Sequence, residues 1–279
     1  MKKFLALILA ITVCACFAGC TAPKTNEGGV ADDIAGTEAS DWAYIADKGE
    51  MIIGITYFNP MNFVDATGSL TGFETEFAEA VCEKLGVTPV FQEIDWNSKE
   101  TELNAKNIDC IWNGMTVTAE RQANMDITNE YMQNKQVMIA KKDGSEKFAA
   151  QDGIAGAIVV AEKGSVGEEV AQAEEFFAEA SYTAVDAQSK ALLEVKSGTA
   201  DVAIVDYVLS IGTIGEGTDY SDLAVVEGQD FAPDNYGIAF RKGSAETLAK
   251  VNAIIAELIE DGTLDTIAEK YNLESLLIK

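Results

Sequence analysis

Residues 108–121 read IDCIWNGMTVTAER, and this stretch decides the fold class of the chain. The apolar run from Ile108 to Trp112 is typical of a buried strand. A loop containing Gly114 follows, and the sequence Thr118-Ala119-Glu120-Arg121 reads as the start of a helix. The stretch therefore predicts a strand, a polar loop and a helix in direct succession.

The same alternation extends towards the N-terminus. Met51–Ile55 and Thr88–Glu93 are predicted strands, with a helix between them. Thr71 and Glu74 have the spacing of a capping box for that helix, and Asn97 and Glu100 repeat the spacing before a second helix, which runs through Leu103. The apolar face of the first helix is expected at Phe73, Phe77, Val81 and Leu85, and its end at Gly86.

Towards the C-terminus the alternation continues. Strands are predicted over residues 136–141, 157–161, 182–185, 201–205, 223–226 and 236–241, and helices over 164–177, 188–196, 244–260 and 264–271. Similar short segments, residues 105–109 and 195–201, end in an aspartate at the start of a strand in each half. The pattern predicts an α/β fold built from two related lobes.

The N-terminal segment has the features of an export signal. Lys2 and Lys3 precede an apolar run, residues 4–17, which is shorter than the ~20 residues of a membrane span. The sequence Phe17-Ala18-Gly19-Cys20 resembles a lipobox, which predicts a signal peptide over residues 1–20 and lipidation of Cys20. The alternative is an ordinary cleaved signal in which Cys20 is incidental. The polar segment 21–40 is predicted to be a flexible linker.

Composition excludes several classes of function. The formal charge of -26 over 279 residues disfavours nucleic acid and anionic lipid as partners of the folded body. The absence of histidine excludes Ser-His-Asp and Cys-His catalysis. We expect no cofactor, no metal and a monomer. Cys82 and Cys110 lie in apolar patterns and are expected to be buried thiols, although a disulfide between them stays open.

Several motifs, in this order, carry a family resemblance. They are residues 60–63 (PMNF), 68–74 (GSLTGFE), 108–121, 205–206 (VD), 236–242 (YGIAFRK) and 261–264 (DGTL). Together they resemble the extracellular polar-amino-acid-binding proteins of ABC importers, the family 3 solute-binding proteins. The resemblance implies a type II periplasmic-binding-protein-like fold with lobe one over 41–137 plus 235–279 and lobe two over 138–234. It also implies two crossovers and a ligand cleft between the lobes.

The resemblance also implies the ligand-binding residues. Arg121 matches the residue that holds the ligand α-carboxylate, and Asp206 matches the aspartate that pairs with the α-ammonium. The backbone of the amino acid is expected to contact Asn113, Gly114, Thr116, Ser165 and Val166, and its side chain Phe58 and Trp96. Without the resemblance, Arg121 reads as a surface arginine, Ser165 and Asp206 as helix caps, and Trp96 as a core residue.

The function implied is extracytoplasmic binding of a polar amino acid, neutral or acidic in preference, and delivery to ABC permease subunits. The preference rests on the segment 55–60, where the acidic residue frequent in binders of basic amino acids is not evident. Two other classes stay open. One is a cyclic-acid dehydratase-like enzyme on the same fold, although we expect no catalytic residues, and the other is a ligand-sensing lipoprotein.

Overall fold

The computed structural model describes residues 40–229, 231 and 233–279. The predicted signal peptide, Cys20 and nearly all of the predicted linker lie outside these residues. Among the helices that are described, we find none with the length and apolar character of a membrane span. The described chain has a mixed α/β structure with two separate five-stranded sheets, which confirms the predicted fold class.

Helices and strands alternate along the described chain. The helices are α1 (Asp41–Lys48), α2 (Phe73–Leu85), α3 (Lys99–Asn104), α4 (Ala119–Asn124), α5 (Gln151–Ile154), α6 (Val166–Ala173), α7 (Gln188–Ser197), α8 (Tyr207–Thr213), α9 (Ala245–Glu260) and α10 (Thr263–Lys270). The strands are β1 (Glu50–Ile55), β2 (Phe63–Val64), β3 (Leu70–Thr71), β4 (Thr88–Glu93), β5 (Cys110–Ile111), β6 (Met125–Ile127), β7 (Gln136–Lys141), β8 (Ile158–Glu162), β9 (Ser181–Val185), β10 (Val202–Asp206), β11 (Leu223–Val225) and β12 (Ala239–Arg241).

The two sheets share a topology. The sheet of lobe one has the order β4-β1-β5-β12-β6, with β4, β1 and β5 parallel and β12 antiparallel to both of its neighbours. The sheet of lobe two has the order β11-β7-β10-β8-β9, with β9, β8 and β10 parallel and β7 antiparallel to both of its neighbours. In each lobe, three parallel strands therefore end at one common edge.

The chain passes between the lobes twice, and the two crossovers run side by side. The first lies between β6 and β7, and the second between β11 and β12. Isolated antiparallel bridges join Met132 to Tyr236 and Lys135 to Pro233. The backbone N–H of Asp234 donates to the carbonyl of Asn134 at 3.0 Å. The exact limits of the lobes stay a prediction.

The core of lobe one forms around α2. Phe73, Phe77 and Val81 are fully buried on its predicted apolar face, and the ring of Phe77 packs edge-on against Trp112 at 5.0 Å. The helix ends at Gly86, whose φ of 74° requires the left-handed conformation that glycine adopts readily.

Both predicted capping boxes were wrong. Helix α2 begins after Gly72 without a side-chain cap, because Thr71 belongs to β3 and the Glu74 carboxylate is buried in another network. Helix α3 follows a 3₁₀ turn over Trp96–Ser98 and also has no side-chain cap. The spacing of a capping box is therefore present twice in this chain without its hydrogen bonds.

The two cysteines of the folded body behave as predicted. Cys82 on α2 and Cys110 on β5 are buried and free. Burial raises the pKa of the Cys82 thiol to about 12 and also raises that of Cys110. Both side chains are therefore apolar packing groups in this structure.

Candidate ligand-binding cleft

A cavity lies where the strand ends of the two lobes face each other. All nine predicted ligand-binding residues line it: Phe58, Trp96, Asn113, Gly114, Thr116, Arg121, Ser165, Val166 and Asp206. Its volume is only about 10 Å³, roughly the space that one water molecule needs. The two walls of the cavity therefore stand close together.

Direct hydrogen bonds join the lobes on both sides of the cavity. On one side, the carbonyl of Gly164 accepts from Lys99 Nζ at 3.0 Å and from Arg121 Nη2 at 3.3 Å. On the other side, Asn59 Nδ2 donates to the carbonyl of Gly212 at 3.2 Å. The structure therefore shows the lobes in contact, with the cleft largely closed.

Arg121 lies at the start of α4 on the wall formed by lobe one. The hydroxyl of Thr118 caps this helix by accepting from the backbone N–H of Arg121 at 3.2 Å. Arg121 is only 5% exposed, and Nη1 of its guanidinium donates to the carbonyl of Thr116 at 3.0 Å. The interpretation of Arg121 as a surface residue was therefore wrong. Burial lowers the pKa of Arg121, so an anion in the cavity would compensate a desolvated cation.

A buried carboxylate holds the loop after β5. Both oxygens of Glu74 accept from the backbone N–H of Gly114, at 2.9 and 3.0 Å, and the same carboxylate accepts from Tyr131 Oη. Asn62 Nδ2 donates to Glu74 at 2.9 Å. Burial raises the pKa of Glu74 to about 7. These bonds fix Gly114 at a φ of 55°, a conformation that favours glycine.

Asn113 has a role that the sequence did not indicate. Its Nδ2 donates to the carbonyl of Thr56 at 2.8 Å, and its Oδ1 accepts from the Thr56 hydroxyl at 2.6 Å. The side-chain amide therefore ties the loops after β1 and β5 together. Asn113 lines the cavity, but its amide is engaged within lobe one.

The turn before α6 forms part of the opposite wall. Ser165 is the N-cap of this helix, and its hydroxyl accepts from the N–H of Glu168 at 3.1 Å. Val166 is the first residue of the helix, and the backbone N–H groups of a first helical turn have no carbonyl acceptor within the helix. The capping role predicted for Ser165 is confirmed, and it coexists with a position on the cavity wall.

Asp206 ends β10 and is the centre of a buried polar network. Its carboxylate accepts from Asn134 Nδ2 at 2.6 Å, from Gln136 Nε2 at 2.7 Å and from Gln188 Nε2. It makes no capping bond to α8, so the prediction of a helix cap was wrong for its side chain. Burial raises the pKa of Asp206 despite these donors.

A second carboxylate, Asp234 on the second crossover, shares two of those donors. Asn134 Nδ2 also donates to Asp234, and Gln136 Nε2 donates to it at 2.6 Å. Burial and the charge of Asp206 raise the pKa of Asp234 to about 8. The cavity wall is thereby joined to both crossovers by hydrogen bonds.

The two predicted aromatic residues contribute to both the cavity and the core. Phe58 is 4% exposed and Trp96 is 5% exposed, and each belongs to a cluster of buried apolar residues. The ammonium of Lys99 lies 4.8 Å from the centre of the Trp96 ring. The two alternatives for Trp96, ligand contact and core packing, are therefore compatible.

Four further residues line the cavity although the sequence did not indicate them: Thr56, Tyr57, Glu162 and Gln188. Glu162 ends β8 and Thr56 directly follows β1, so the rule that ligands meet the carboxyl ends of parallel strands could have found both. Gln188 opens α7, shortly after β9 ends. None of the groups of acidic and cysteine side chains in the described residues has the arrangement of a metal site.

Comparison with known proteins places this geometry in a family. The chain is 28% identical over 228 residues to the L-cystine-binding protein TcyJ of Escherichia coli (strain K12), covering 81% of this chain and 84% of that protein. It is 26% identical over 274 residues to the arginine-binding extracellular protein ArtP of Bacillus subtilis (strain 168), covering 97% and 98%.

A similar solved structure is that of an ancestral arginine-binding protein bound to glutamine, with a TM-score of 0.74 and 31% identity, covering 80% of this chain and 97% of that one. The fold is therefore that of the type II periplasmic binding proteins. The family model of the bacterial extracellular solute-binding proteins, family 3, matches residues 51–274. The chain belongs to the bacterial extracellular solute-binding proteins, family 3.

Proposed function

We propose that this protein binds a free amino acid outside the cytoplasm and delivers it to the permease subunits of an ABC transporter. The observation that carries the proposal is the placement of Arg121 and Asp206. One is a buried cation on lobe one and the other a buried carboxylate on lobe two, and both line the same closed cavity. An α-amino acid carries the two complementary charges on adjacent atoms.

The proposed mechanism is binding without chemistry. The ligand carboxylate takes two charge-assisted hydrogen bonds from the Arg121 guanidinium and further N–H groups from the first turn of α6. The ligand ammonium pairs with Asp206. Because these partners lie on different lobes, the ligand stabilises the closed arrangement by its greater affinity for it. The closed protein then docks on the permease as a monomer.

The relatives support transport over catalysis, since those named above are described by the amino acid that they bind. We propose that the mature protein is anchored on the outer face of the cell membrane through lipid on Cys20, because a polar linker separates that cysteine from α1. Mass spectrometry of the membrane-extracted protein tests the anchor, since an N-terminus at Thr21 without lipid would contradict it.

The decisive experiment is a thermal-shift screen of residues 21–279, stripped of carried-over ligand, against the twenty amino acids, cystine, ornithine and prephenate. A ligand at a hundredfold excess over its dissociation constant stabilises the fold by about 2.7 kcal/mol. We expect a selective rise in Tm with one or a few amino acids. No shift with any amino acid, or a shift and turnover with prephenate alone, would contradict the proposal.

Arg121→Ala tests the site itself, because it removes the fork that holds the carboxylate. We expect binding to fall by at least about a hundredfold while the circular dichroism spectrum is unchanged. Lys163→Ala is the matched control, since Lys163 is exposed next to the turn before α6 and its substitution also removes one positive charge. Equal effects of the two substitutions would remove Arg121 from the site.

A further inference from the structure

Glu162 is a buried carboxylate on the cavity wall that no role described above uses. It ends β8, is 3% exposed and lines the cavity together with Arg121 and Asp206. Its Oε1 is fully buried and has no hydrogen-bond partner among the described residues. A buried carboxylate oxygen without a donor is costly, so its retention on a cavity wall indicates that a ligand supplies the donor.

The charges on the wall define what that donor should be. The proposed function assigns Arg121 to the ligand carboxylate and Asp206 to the ligand ammonium, and Glu162 is the ionisable group that then remains on the wall. A neutral side chain leaves Glu162 in its protonated form, and an acidic side chain would place a second carboxyl group beside it. A third, positive charge on the ligand favours the ionised form of Glu162 and pairs with it.

The protein's own cation near Glu162 is engaged elsewhere. The Lys99 ammonium attracts Glu162, but it donates to the carbonyl oxygens of Trp96 and Gly164, at 3.3 and 3.0 Å, rather than to Glu162. The same wall carries the rings of Tyr57, Phe58 and Trp96. Aromatic faces next to a desolvated carboxylate suit a cationic group.

We infer that Glu162 determines specificity by accepting a hydrogen bond from a cationic ligand side chain, so that the cargo is an amino acid ending in a guanidinium or an ammonium. This inference rests on the proposed function. It replaces the preference for neutral or acidic ligands that the segment 55–60 suggested. That segment of lobe one lacks an acidic residue, but Glu162 of lobe two supplies a carboxylate for a cationic side chain.

The titration of Glu162 provides a second readout. Burial and the charge of Asp206 raise the pKa of Glu162 to about 8, so in the closed cleft Glu162 holds a proton at pH 7 as long as no ligand cation lies beside it. A ligand cation lowers that pKa and expels the proton. Asp95, Lys99 and Arg121 also act on Glu162 through their charges. The pKa of Asp206 is raised by burial, so Asp206 loses its proton to the solvent when any ligand ammonium pairs with it. A comparison of two ligands with the same ammonium removes that shared contribution.

The experiment compares L-arginine with L-citrulline, which has the same shape but a neutral side-chain end. Calorimetry gives both affinities and, in buffers of different ionisation enthalpy, the protons released. We expect the purified protein to bind arginine at least about tenfold more tightly than citrulline, and to release close to one more proton with it. Glu162→Gln should bring the affinity ratio to about one and abolish the extra proton.

Glu169→Gln is the matched control, because Glu169 is exposed, lies on α6 and acts on Arg121 through its charge. It should leave the ratio within about threefold of the original. An unchanged ratio in Glu162→Gln, with amino acids still bound, overturns the inference and leaves the proposed function intact. A protein that binds no amino acid overturns the proposed function itself. If Glu162→Gln did not fold, tighter binding of glutamate than of arginine by the unaltered protein would overturn the inference alone.

Discussion

Gly212 offers a direct test of lobe closure at a distance from the ligand. It lies on α8 in lobe two, against the loop before β2 in lobe one. A Cβ at this position would lie 2.6 Å from Pro60 Cδ, 2.8 Å from Pro60 N and 2.9 Å from Asn59 Oδ1. A proline ring and a backbone nitrogen cannot rotate away, so the lobes themselves must separate.

The size of the effect follows from that geometry. Overpacking of this kind costs about 1–3 kcal/mol, and here the cost applies only while the lobes touch. Since about 1.4 kcal/mol corresponds to a tenfold change in affinity, Gly212→Ala should weaken ligand binding by roughly 5- to 150-fold. With the lobes apart, alanine in place of glycine within a helix should stabilise the protein by up to about 1 kcal/mol.

The assay therefore measures two quantities that should change in opposite directions: the ligand affinity should fall and the stability of the ligand-free protein should rise. Calorimetry gives the affinity for the amino acid found by the thermal-shift screen, and thermal unfolding gives the stability of the ligand-free protein. Small-angle scattering with saturating ligand reports whether the radius of gyration still falls. An affinity equal to that of the unaltered protein, or a ligand-free protein destabilised by more than about 1 kcal/mol, would refute a clash specific to the closed state.

Three further predictions concern the loop, the buried carboxyls and the thiols. Gly114→Ala should cost at least about 1–3 kcal/mol of stability by unfolding in urea, because its φ is 55° and the new Cβ would lie 2.5 Å from Phe58 Cε1; a loss under about 0.5 kcal/mol would contradict this. Because the pKa of Asp234 is raised to about 8, the folded ligand-free protein retains a proton that the unfolded chain loses, so its unfolding free energy should fall as the pH rises from about 4 to 8. Asp234→Asn should reduce that slope by up to about 1.4 kcal/mol per pH unit, and an identical slope would argue against the shift. In residues 21–279, a thiol reagent should modify neither Cys82 nor Cys110 until the protein unfolds, and then both; an unfolded chain without free thiols would indicate a disulfide.

The sequence predicted best what local patterns control. The strands Met51–Ile55, Thr88–Glu93 and Gln136–Lys141 are long apolar or alternating runs, and they lie within or coincide with the observed β1, β4 and β7. The end of α2 at Gly86 was equally clear, because a left-handed C-cap calls for glycine. In such segments, local preference and tertiary packing agree.

The capping boxes show why spacing alone was insufficient. Glu74 has the spacing of a capping residue, yet its carboxylate is bound by Gly114, Asn62 and Tyr131, which come from other parts of lobe one. A residue that can satisfy a helix end can equally satisfy a buried loop. Only the tertiary arrangement decides between these two roles, and the spacing of residues in a single sequence does not predict that arrangement.

The residues of the cavity wall that the family resemblance implied were predicted, whereas other residues of the same wall were not. All nine residues taken from the resemblance line it, whereas Glu162 and Gln188 were not considered. Gln188 meets Asp206 only because β9 and β10 lie on either side of β8 in one sheet. Contacts of this kind depend on sheet order, which motif spacing along the chain does not reveal.

The hydrogen-bonded ribbon of the two crossovers has a consequence for ligand analogues. The side-chain nitrogens of Asn134 and Gln136 each donate to both Asp206 and Asp234. The carboxylate proposed to bind the ammonium is therefore tied to the segments about which the lobes turn. A carboxylic acid with the same side chain but no amino group would still bind Arg121 through its carboxylate. Because it has no ammonium to pair with Asp206, it would leave these segments undisturbed. Such a compound should act as a competitive antagonist that fills the cleft without triggering uptake.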